Sequence, residues 1–364
     1  MTTPAGERVD LSLAPPIVNT APGPEYSAAA RRWQGIPGIE RTSAGRLWAC
    51  WYSGGTGEGP ENYVVLATST DDGQTWREPV LVIDPPAPVR AFDPVLWRDP
   101  LGRLWLFWAQ SEGWFDGRAG VWAIVAEDAE RPVWSLPRRL CHGVMMNKPT
   151  VTRTGEWLLP AAVWDREPRT PGLEEVRCSG LYCSTDVGAT WTWRGGANVP
   201  HRTFDEHLVL ERADGTLWLL VRTAYGIGES FSADGGRTWT PGRPSAIAGP
   251  DARFHLRRLS SGRLLLVNHH LFTGRSHLTA LLSEDDGQTW PARLLLDERS
   301  QVSYPDATEA EDGRVFVIYD HGRTTEREIL VAVFREEDVL CGRCVSQDAR
   351  LRILVSRAGG GAEI

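Results

Sequence analysis

Apolar and polar residues alternate along much of the chain in short stretches, each introduced by a glycine. Such alternation points every second side chain to the same face, which is typical of a β-strand with one buried face. The six clearest stretches are GRLWACWY (45–52), GRLWLFWA (102–109), GEWLLPAA (155–162), GTLWLLVR (215–222), GRLLLVNH (262–269) and GRVFVIYD (313–320). Few windows show the i, i+3, i+4, i+7 apolar spacing of an amphipathic helix. The pattern therefore predicts an all-β chain.

The glycines that open these stretches recur at intervals of 57, 53, 60, 47 and 51 residues. A four-stranded blade of a β-propeller usually takes about 40–50 residues, so six copies predict a six-bladed β-propeller. We expect a single propeller domain over residues 1–357 and a frayed tail over 358–364, with residues 1–20 crossing the base or supplying a closing strand. The expected blades are 21–76, 77–134, 135–191, 192–239, 240–290 and 291–340 plus the closing strand.

An octapeptide of the form Ser-x-Asp-x-Gly-x-Thr-Trp accompanies the strand repeat. Its copies are STDDGQTW (69–76), STDVGATW (184–191), SADGGRTW (232–239) and SEDDGQTW (283–290), with a degenerate EDAERPVW at 127–134. Asp bonds nearby backbone N–H groups and Gly supplies a positive φ, as a tight hairpin turn requires. Trp packs the turn onto the sheet. We therefore interpret the octapeptide as a folding device and assign its aspartates no catalytic role.

Composition narrows the classes of function. The 364 residues carry 39 Lys+Arg and 47 Asp+Glu, a net charge of −8 without basic clusters, which argues against nucleic-acid binding. The sequence contains no run of 18 apolar residues, so we expect no membrane span. No secretory signal is evident either, and we therefore expect a cytoplasmic protein. Six cysteines do not make a disulfide scaffold, and we interpret Cys341 and Cys344 as ordinary thiols. No cofactor or metal is expected, and the oligomeric state is open.

The innermost strand of each blade should directly precede each glycine-initiated strand. Alignment gives IPGIERT (36–42), DPVLWRD (93–99), KPTVTRT (148–154), EHLVLER (206–212), RFHLRRL (253–259) and YPDATEA (304–310). Proline stands second in four of the six, where it would start the strand. The first positions are Ile36, Asp93, Lys148, Glu206, Arg253 and Tyr304. Five of these six side chains are ionisable or phenolic, which predicts a site for a polar ligand in the channel, or else a solvated channel with internally paired charges.

The octapeptide resembles the Asp-box of the sialidase (neuraminidase) superfamily, whose members are BNR-repeat proteins, and the spacing covers nearly the whole chain. The resemblance implies a sialidase-like propeller that cleaves a carbohydrate substrate. It implies Tyr304 as the nucleophile, Glu206 as the carboxylate paired with it, and Arg222 and Arg275 as clamps for a substrate carboxylate. The chain order Glu, Arg, Arg, Tyr is that of the family.

Two positions depart from the family pattern. Gly35 stands where sialidases carry their first Arg, and the loop WYSGGTGEGPENY (51–63) has neither the Arg nor the Asp acid/base expected there. Glu58 or Glu61 can supply the acid. Three cations can replace the missing arginine, namely Arg90, Arg253 and Lys148. Alternatively, the substrate is not a sialic acid.

Two further residues at the starts of inner strands are candidates. Asp93 faces the channel, where burial can raise the pKa of its carboxyl group to suit proton donation. Its alternative role is as a charge partner for Arg90 or Lys148. His207 can contact sugar hydroxyls or a metal, although no histidine spacing requires a metal site.

Three functions follow from these residues. The first is a sialidase-type exo-glycosidase for an acidic sugar, in which a phenol replaces the carboxylate nucleophile. The second is a polysaccharide lyase that uses Tyr, His and Arg on uronate-containing glycans. The third is a carbohydrate-binding propeller without catalysis. Hydrolysis needs an acid near the first-blade loop, whereas elimination can proceed with Tyr or His.

Overall fold

A computed structural model describes residues 10–113, 117–167 and 169–360 of the chain. Six antiparallel sheets follow one another along the sequence, each built on four consecutive strands, and the first sheet has a fifth short strand at its outer edge. The first strands of blades 1 and 2, 3 and 4, 4 and 5, and 5 and 6 contact one another around a central axis, and the first strand of blade 1 also contacts that of blade 6, which closes the ring. The predicted all-β, six-bladed β-propeller is therefore confirmed.

The first three blades occupy the N-terminal half of the chain. Blade 1 contains β2 (Gln34–Arg41), β3 (Leu47–Ser53), β4 (Tyr63–Ser69) and β5 (Arg77–Ile83), with β1 (Val18–Asn19) paired to β5. Blade 2 contains β6 (Val89–Arg98), β7 (Leu104–Glu112), β8 (Val121–Ala126) and β9 (Arg138–Cys141). Blade 3 contains β10 (Thr150–Val151), β11 (Trp157–Ala162), β12 (Ser179–Ser184) and β13 (Thr192–Ala197).

The last three blades complete the ring. Blade 4 contains β14 (Leu208–Glu211), β15 (Leu217–Thr223), β16 (Gly226–Ser232) and β17 (Arg243–Pro244). Blade 5 contains β18 (His255–Arg258), β19 (Leu264–Asn268), β20 (Ser276–Ser283) and β21 (Ala292–Ser300). Blade 6 contains β22 (Val302–Glu309), β23 (Val315–His321), β24 (Glu328–Phe334) and β25 (Arg350–Arg357). Helical segments are short: α1 (Glu336–Cys341) and 3-10 turns at Leu11–Leu13, Pro24–Tyr26 and Glu174–Val176. None of the helices described is long and apolar enough to cross a membrane.

The octapeptide forms the same hydrogen-bonded turn in each of its four copies. In the copy of blade 3, Ser184 Oγ donates to Asp186 at 2.7 Å, and the N–H and hydroxyl of Thr190 donate to the same carboxylate at 2.9 and 2.6 Å. The hydrogen bonds from Thr190 lower the pKa of Asp186 to about 2. The carboxylate therefore serves the turn, as its solvent-exposed position also indicates.

These turns join the third and fourth strands within one blade, so the blade boundaries lie one strand later than expected. The physical reason is that a hairpin turn connects two paired strands of the same sheet, as β4 and β5 show. The expected closing strand from residues 1–20 is also wrong within the described part of that segment. There β1 pairs with β5 of blade 1, and the outer strand of blade 6 is β25.

The expected frayed tail is only partly outside the fold. The N–H groups of Gly359 and Gly360 donate to the carbonyls of Ala28 and Arg31 at 2.8 and 2.7 Å. These bonds fasten residues 358–360 to the segment that leads into blade 1. Residues 361–364 lie outside the described residues.

Neighbouring blades pack through the aromatic residues of the repeats. Trp105 of blade 2 and Trp157 of blade 3 lie 6.3 Å apart in an edge-to-face arrangement. The turn glycine Gly188 has φ +84°, and a Cβ added there would lie 2.8–2.9 Å from both indole rings. Gly155, in another turn of the same blade, also has φ +84° but has open space around the same position.

These two glycines separate backbone strain from packing. We expect Gly155→Ala to lower the free energy of unfolding by about 1–2 kcal/mol, because only the left-handed conformation is penalised. Gly188→Ala should lower it by a further ~1–3 kcal/mol, because the methyl group overpacks the blade interface. Urea unfolding followed by tryptophan fluorescence measures both. Equal losses would contradict the role of Gly188 in blade packing.

Candidate active site

Three inner strands carry a β-bulge at the candidate residue that faces the channel. Ile36, Asp93 and Tyr304 each precede a proline and have φ of 59, 49 and 54°. The strand register shifts at each of these positions. Proline thus lies at a bulge inside the strand in blades 1, 2 and 6, and not at the strand start as expected. Left-handed backbone at bulky residues is costly and clusters at functional sites.

Glu206 reaches the same end of the channel through a different local structure. It follows Phe204 and Asp205, and all three residues have positive φ. Arg202 Nη1 donates to both carboxylate oxygens of Asp205 at 2.8 Å, and Ser179 Oγ donates to one of them at 2.6 Å. The buried ion pair holds this strained segment in place, so that the Glu206 side chain turns towards Tyr304.

Tyr304 and Glu206 form a buried hydrogen-bonded pair. The Tyr304 hydroxyl donates to Glu206 Oε1 at 3.1 Å, and the two residues are 5% and 3% exposed. Burial and the neighbouring Glu206 raise the pKa of Tyr304 to about 12. The phenol is therefore neutral at physiological pH, with a carboxylate positioned to accept its proton.

Three arginines surround this pair. Arg222 Nη1 donates to Glu206 Oε1 at 2.6 Å and lies 3.4 Å from the Tyr304 hydroxyl. The guanidinium carbons of Arg275 and Arg323 each lie 5.0 Å from the centre of the Tyr304 ring. All five side chains line a cavity of about 200 Å³, so the structure brings together the residues that the resemblance implied.

Arg323 also lines the cavity, and the sequence interpretation missed it. It follows β23 in a loop that belongs to neither repeat, and its Nη1 donates to Glu58 Oε1 at 2.7 Å. A Cβ at Gly35 would lie 2.3 Å from Arg323 Cδ and 3.1 Å from Asp320 Oδ2. Gly35, which stands in place of the expected first arginine, has no side chain, and the aliphatic part of Arg323 occupies the space that a side chain would take. In the sequence, the only indication of a displaced arginine is the glycine at position 35.

The predicted acids fall in different places. Asp93 is buried and lines the cavity, and burial, with Glu58 nearby, raises its pKa to about 8. Glu58 also lines the cavity, through its ion pair with Arg323. Glu61 does not: it lies exposed beside a separate surface hollow. Asn62 explains the difference, because its amide donates to the carbonyls of residues 54 and 57 and folds the loop back on itself.

Arg90 also lines the cavity, with its guanidinium carbon 4.0 Å from the centre of the Phe92 ring. The other predicted ligand contacts lie away from the cavity. Arg253 donates to Asn147 Oδ1 at 3.2 and 3.3 Å. His207 Nε2 is 2.8 Å from the Gly180 carbonyl, and burial lowers its pKa. Both therefore connect blades to one another.

Lys148 is the third predicted contact outside the cavity lining. Its Nζ lies 2.8 Å from Glu40 Oε1 and 3.0 Å from Asp306 Oδ2, and it donates to the carbonyls of Ile39 and Leu96 at 2.7 Å. These partners use the whole hydrogen-bonding capacity of the ammonium group, so Lys148 does not replace the missing cation. Among residues 10–113, 117–167 and 169–360, no cluster of three or more His, Cys, Asp or Glu side chains is arranged to hold a metal ion.

Comparisons with known proteins agree with this architecture. A family model described as BNR repeat-like domain matches residues 45–317. A sialidase of Micromonospora viridifaciens is 27% identical over 79% of this chain, and a sialidase of Bacteroides fragilis (strain YCH46) is 23% identical over 82%. The chain spans 50% and 61% of these two curated relatives. The solved intramolecular trans-sialidase from Ruminococcus gnavus shares the fold, with TM-score 0.68 and 16% identity, over 87% of this chain and 97% of that one.

The close fit of Gly35 to Arg323 can be tested without any activity. Gly35→Ala should lower the free energy of unfolding by about 1–3 kcal/mol, because the new methyl group overlaps the arginine stem. In an Arg323→Ala background the same substitution should cost almost nothing. Urea unfolding of the two single variants and the double variant gives the coupling energy. Additive losses would show that the two residues do not share this space.

Proposed function

Because this chain is a BNR-repeat protein of the sialidase superfamily with a sialidase-like propeller fold, we propose that it is an exo-acting glycoside hydrolase that removes a terminal acidic sugar. The observation that supports this function best is the buried Tyr304–Glu206 pair beside three arginines in one cavity. A neutral nucleophile and a cationic wall together suit a substrate whose negative charge lies next to the reacting carbon.

The proposed first step uses Tyr304 as the nucleophile. Its phenol oxygen attacks the anomeric carbon while its proton passes to Glu206 Oε1, 3.1 Å away. The bond from the anomeric carbon to the leaving oxygen breaks, and an acid protonates that oxygen. Water then attacks the glycosyl–tyrosine intermediate, with the same groups acting in reverse. An ionised nucleophile would repel a substrate carboxylate, and the neutral phenol avoids this repulsion.

Arg222, Arg275 and Arg323 would bind the acidic group of the sugar. A guanidinium offers parallel N–H donors that match the two oxygens of a carboxylate. Arg222 is already bonded to Glu206, whereas Arg275 has no hydrogen bond within the described residues. Arg275 therefore has the most donors available for an incoming ligand.

Asp93 is our proposed acid. With a pKa of about 8 it is mostly protonated at neutral pH, and it lines the cavity. Glu58 is the alternative acid, but its carboxylate accepts a hydrogen bond from Arg323 and is thereby committed as an acceptor. The cavity favours hydrolysis over elimination by a polysaccharide lyase, because it supplies in Asp93 the acid that hydrolysis needs.

Loss of the nucleophile pair tests the proposal. Tyr304→Phe and Glu206→Gln should each lower turnover of aryl glycosides of acidic sugars by at least about 10²-fold, the lower end of what proton transfer contributes. Initial rates measured on sialosides and uronosides with a coloured leaving group provide the readout. Tyr225→Phe is the matched control, because Tyr225 is 39% exposed and outside the cavity. Full activity in both variants would rule out this mechanism. Binding without turnover by the unaltered protein would favour the carbohydrate-binding propeller.

The acid role of Asp93 predicts a dependence on the leaving group. Asp93→Asn should slow cleavage of an oligosaccharide by about 10²–10⁴-fold, because its leaving oxygen needs a proton. Cleavage of a nitrophenyl glycoside should change little, since nitrophenolate leaves without one. With the unaltered protein, oligosaccharide cleavage should fall as pH rises through about 8, because the protonated acid is lost there. Glu61→Gln, on the first-blade loop, should leave both rates unchanged. The same leaving-group dependence in Glu58→Gln, and not in Asp93→Asn, would assign the acid to Glu58.

A further inference from the structure

A second ring of charged residues lies at the far ends of the inner strands. It occupies the sixth position of each inner-strand segment, five residues after the ring that contains Glu206 and Tyr304. Its members are Arg41, Arg98, Arg153, Glu211, Arg258 and Glu309. Five residues of extended backbone span about 16 Å, so the two rings mark opposite ends of the channel.

All six members of this second ring line one cavity of about 740 Å³. None of the described residues that line it also lines the catalytic cavity. Sites for small ligands usually measure about 300–1,000 Å³, so this cavity is large enough to hold a small organic molecule. We call it the distal cavity, because the catalytic cavity lies at the other end of the inner strands.

The carboxylates of the distal cavity already have partners. Four acids line it, and each accepts a hydrogen bond from another residue. The donors are Thr308 Oγ1 to Glu40 at 2.9 Å, Arg103 Nε to Asp99 at 2.6 Å, the N–H of Arg153 to Glu211 at 2.7 Å and Ser260 Oγ to Glu309 at 2.6 Å. The acids are therefore held by the protein itself.

The six cations of the distal cavity divide into two groups. Three of them pair with carboxylates, namely Arg41 with Asp72, Lys148 with Glu40 and Asp306, and Arg258 with Asp286. The other three, Arg98, Arg153 and Arg257, form no ion pair within the part of the chain that the structure describes. The positive charge of these three arginines is therefore not neutralised by a carboxylate of the described chain.

These three arginines also keep donors available. Arg98 is half-buried and makes no hydrogen bond to any described residue. Arg153 and Arg257 donate only to backbone carbonyls, with Nη1 3.1 Å from the oxygens of Ala213 and Ala307. A neutral carbonyl satisfies a donor without cancelling the charge, so the distal cavity favours an anion.

Strand β18 adds buried nitrogen atoms that lack partners. His255 and Arg257 lie two residues apart on β18, so their side chains are on the same face of the strand. His255 is 4% exposed, and its Nδ1 lies 3.2 Å from Asp306 Oδ1. Its Nε2 and the Nε of Arg257 are buried and have no hydrogen-bond partner among residues 10–113, 117–167 and 169–360. Buried polar groups are normally hydrogen-bonded, so these two nitrogens indicate a partner from outside the chain.

We propose that the distal cavity is a second ligand site, which binds the phosphate group of a small molecule. A phosphate monoester carries about −1.5 to −2 charges at pH 7, which suits three unpaired arginines better than one carboxylate does. Guanidinium groups bind its oxygens through parallel N–H donors. The site does not depend on the proposed hydrolysis, because it shares no described lining residue with the catalytic cavity.

Isothermal titration with inorganic phosphate, glucose 6-phosphate and AMP tests the site and distinguishes the sources of the phosphate. At least one of the three should bind, and glucose or adenosine should bind at least tenfold more weakly than its phosphorylated counterpart. Arg98→Gln should lower the affinity for the phosphate at least tenfold. It should not disturb the fold, since Arg98 has no hydrogen bond to lose within the described chain.

Two further variants locate the binding. Arg131→Gln is the matched control, because Arg131 has a side chain that is 90% exposed and lies in the turn after β8. Strands β6 and β8 run in the same direction, so this turn is at the same end of blade 2 as Arg98. Arg275→Gln removes a cation from the catalytic cavity. Both variants should keep the affinity within twofold.

The alternative results would overturn the site. A tenfold loss in Arg275→Gln without a loss in Arg98→Gln would place the phosphate in the catalytic cavity. An equal loss in Arg98→Gln and Arg131→Gln would show attraction by overall charge only. Failure of all three phosphates to bind at 10 mM, on the order of a hundredfold weaker than micromolar binding would require, would also overturn it. Should Arg98→Gln fail to fold, the exposed Arg153 replaces it, and Arg153→Gln should weaken binding at least threefold.

Discussion

The axis of the propeller imposes the constraint on which the remaining structure depends. Each inner strand is an edge strand, and its free carbonyl and N–H groups face the channel, where they must find partners. Lys148, the only lysine of the chain, provides a donor for two of these carbonyls. Its ammonium group joins carboxylates of blades 1 and 6 to the carbonyls of Ile39 and Leu96. Burial would raise the pKa of Asp306, but Lys148 and its neighbours hold it below the usual range. A buried charge cluster of this kind stabilises only while every member is present.

Residues next to this cluster connect the remaining blades. Asn147, next to Lys148, accepts from Arg253 of blade 5 and donates to the Glu206 carbonyl of blade 4 at 2.7 Å, so all six blades meet at one level. Away from this level the backbone departs from regular strand geometry, at bulges inside the inner strands at Asp93 and Tyr304 and just before β14 at Glu206. Strained residues persist only where the surroundings over-determine them. The packed axis supplies those surroundings, and the hairpin turns with the Asp-box sequence hold the outer strands without entering the site.

The repeats made the fold and part of the site predictable, because a residue at a fixed offset in a repeat has a fixed place in its blade. Tyr304 and Glu206 follow from that rule. Arg323 does not, since it lies in a loop outside both repeats and is positioned by the space that Gly35 leaves. Whether Glu58 or Glu61 lines the cavity depends on how a glycine-rich loop folds. The sequence could not predict this, because such a loop has no repeating pattern of apolar and polar residues. Charge alone misled the interpretation of Lys148, because an inward-facing cation has the same sequence signature whether its partner is a ligand or a carboxylate of the protein.

Burial decides which groups of the cavity are charged, and thereby which ligands the cavity favours. The same loss of solvent that raises the pKa of Tyr304 to about 12 raises that of Asp93 to about 8, so the proposed nucleophile and acid are both neutral at pH 7. Arginines keep their charge under the same conditions, because the guanidinium group is too basic to lose its proton. The four arginines of the cavity then outweigh its two remaining carboxylates. A cavity of this composition attracts an anion, because four arginines line it and burial neutralises the carboxyl group of Asp93.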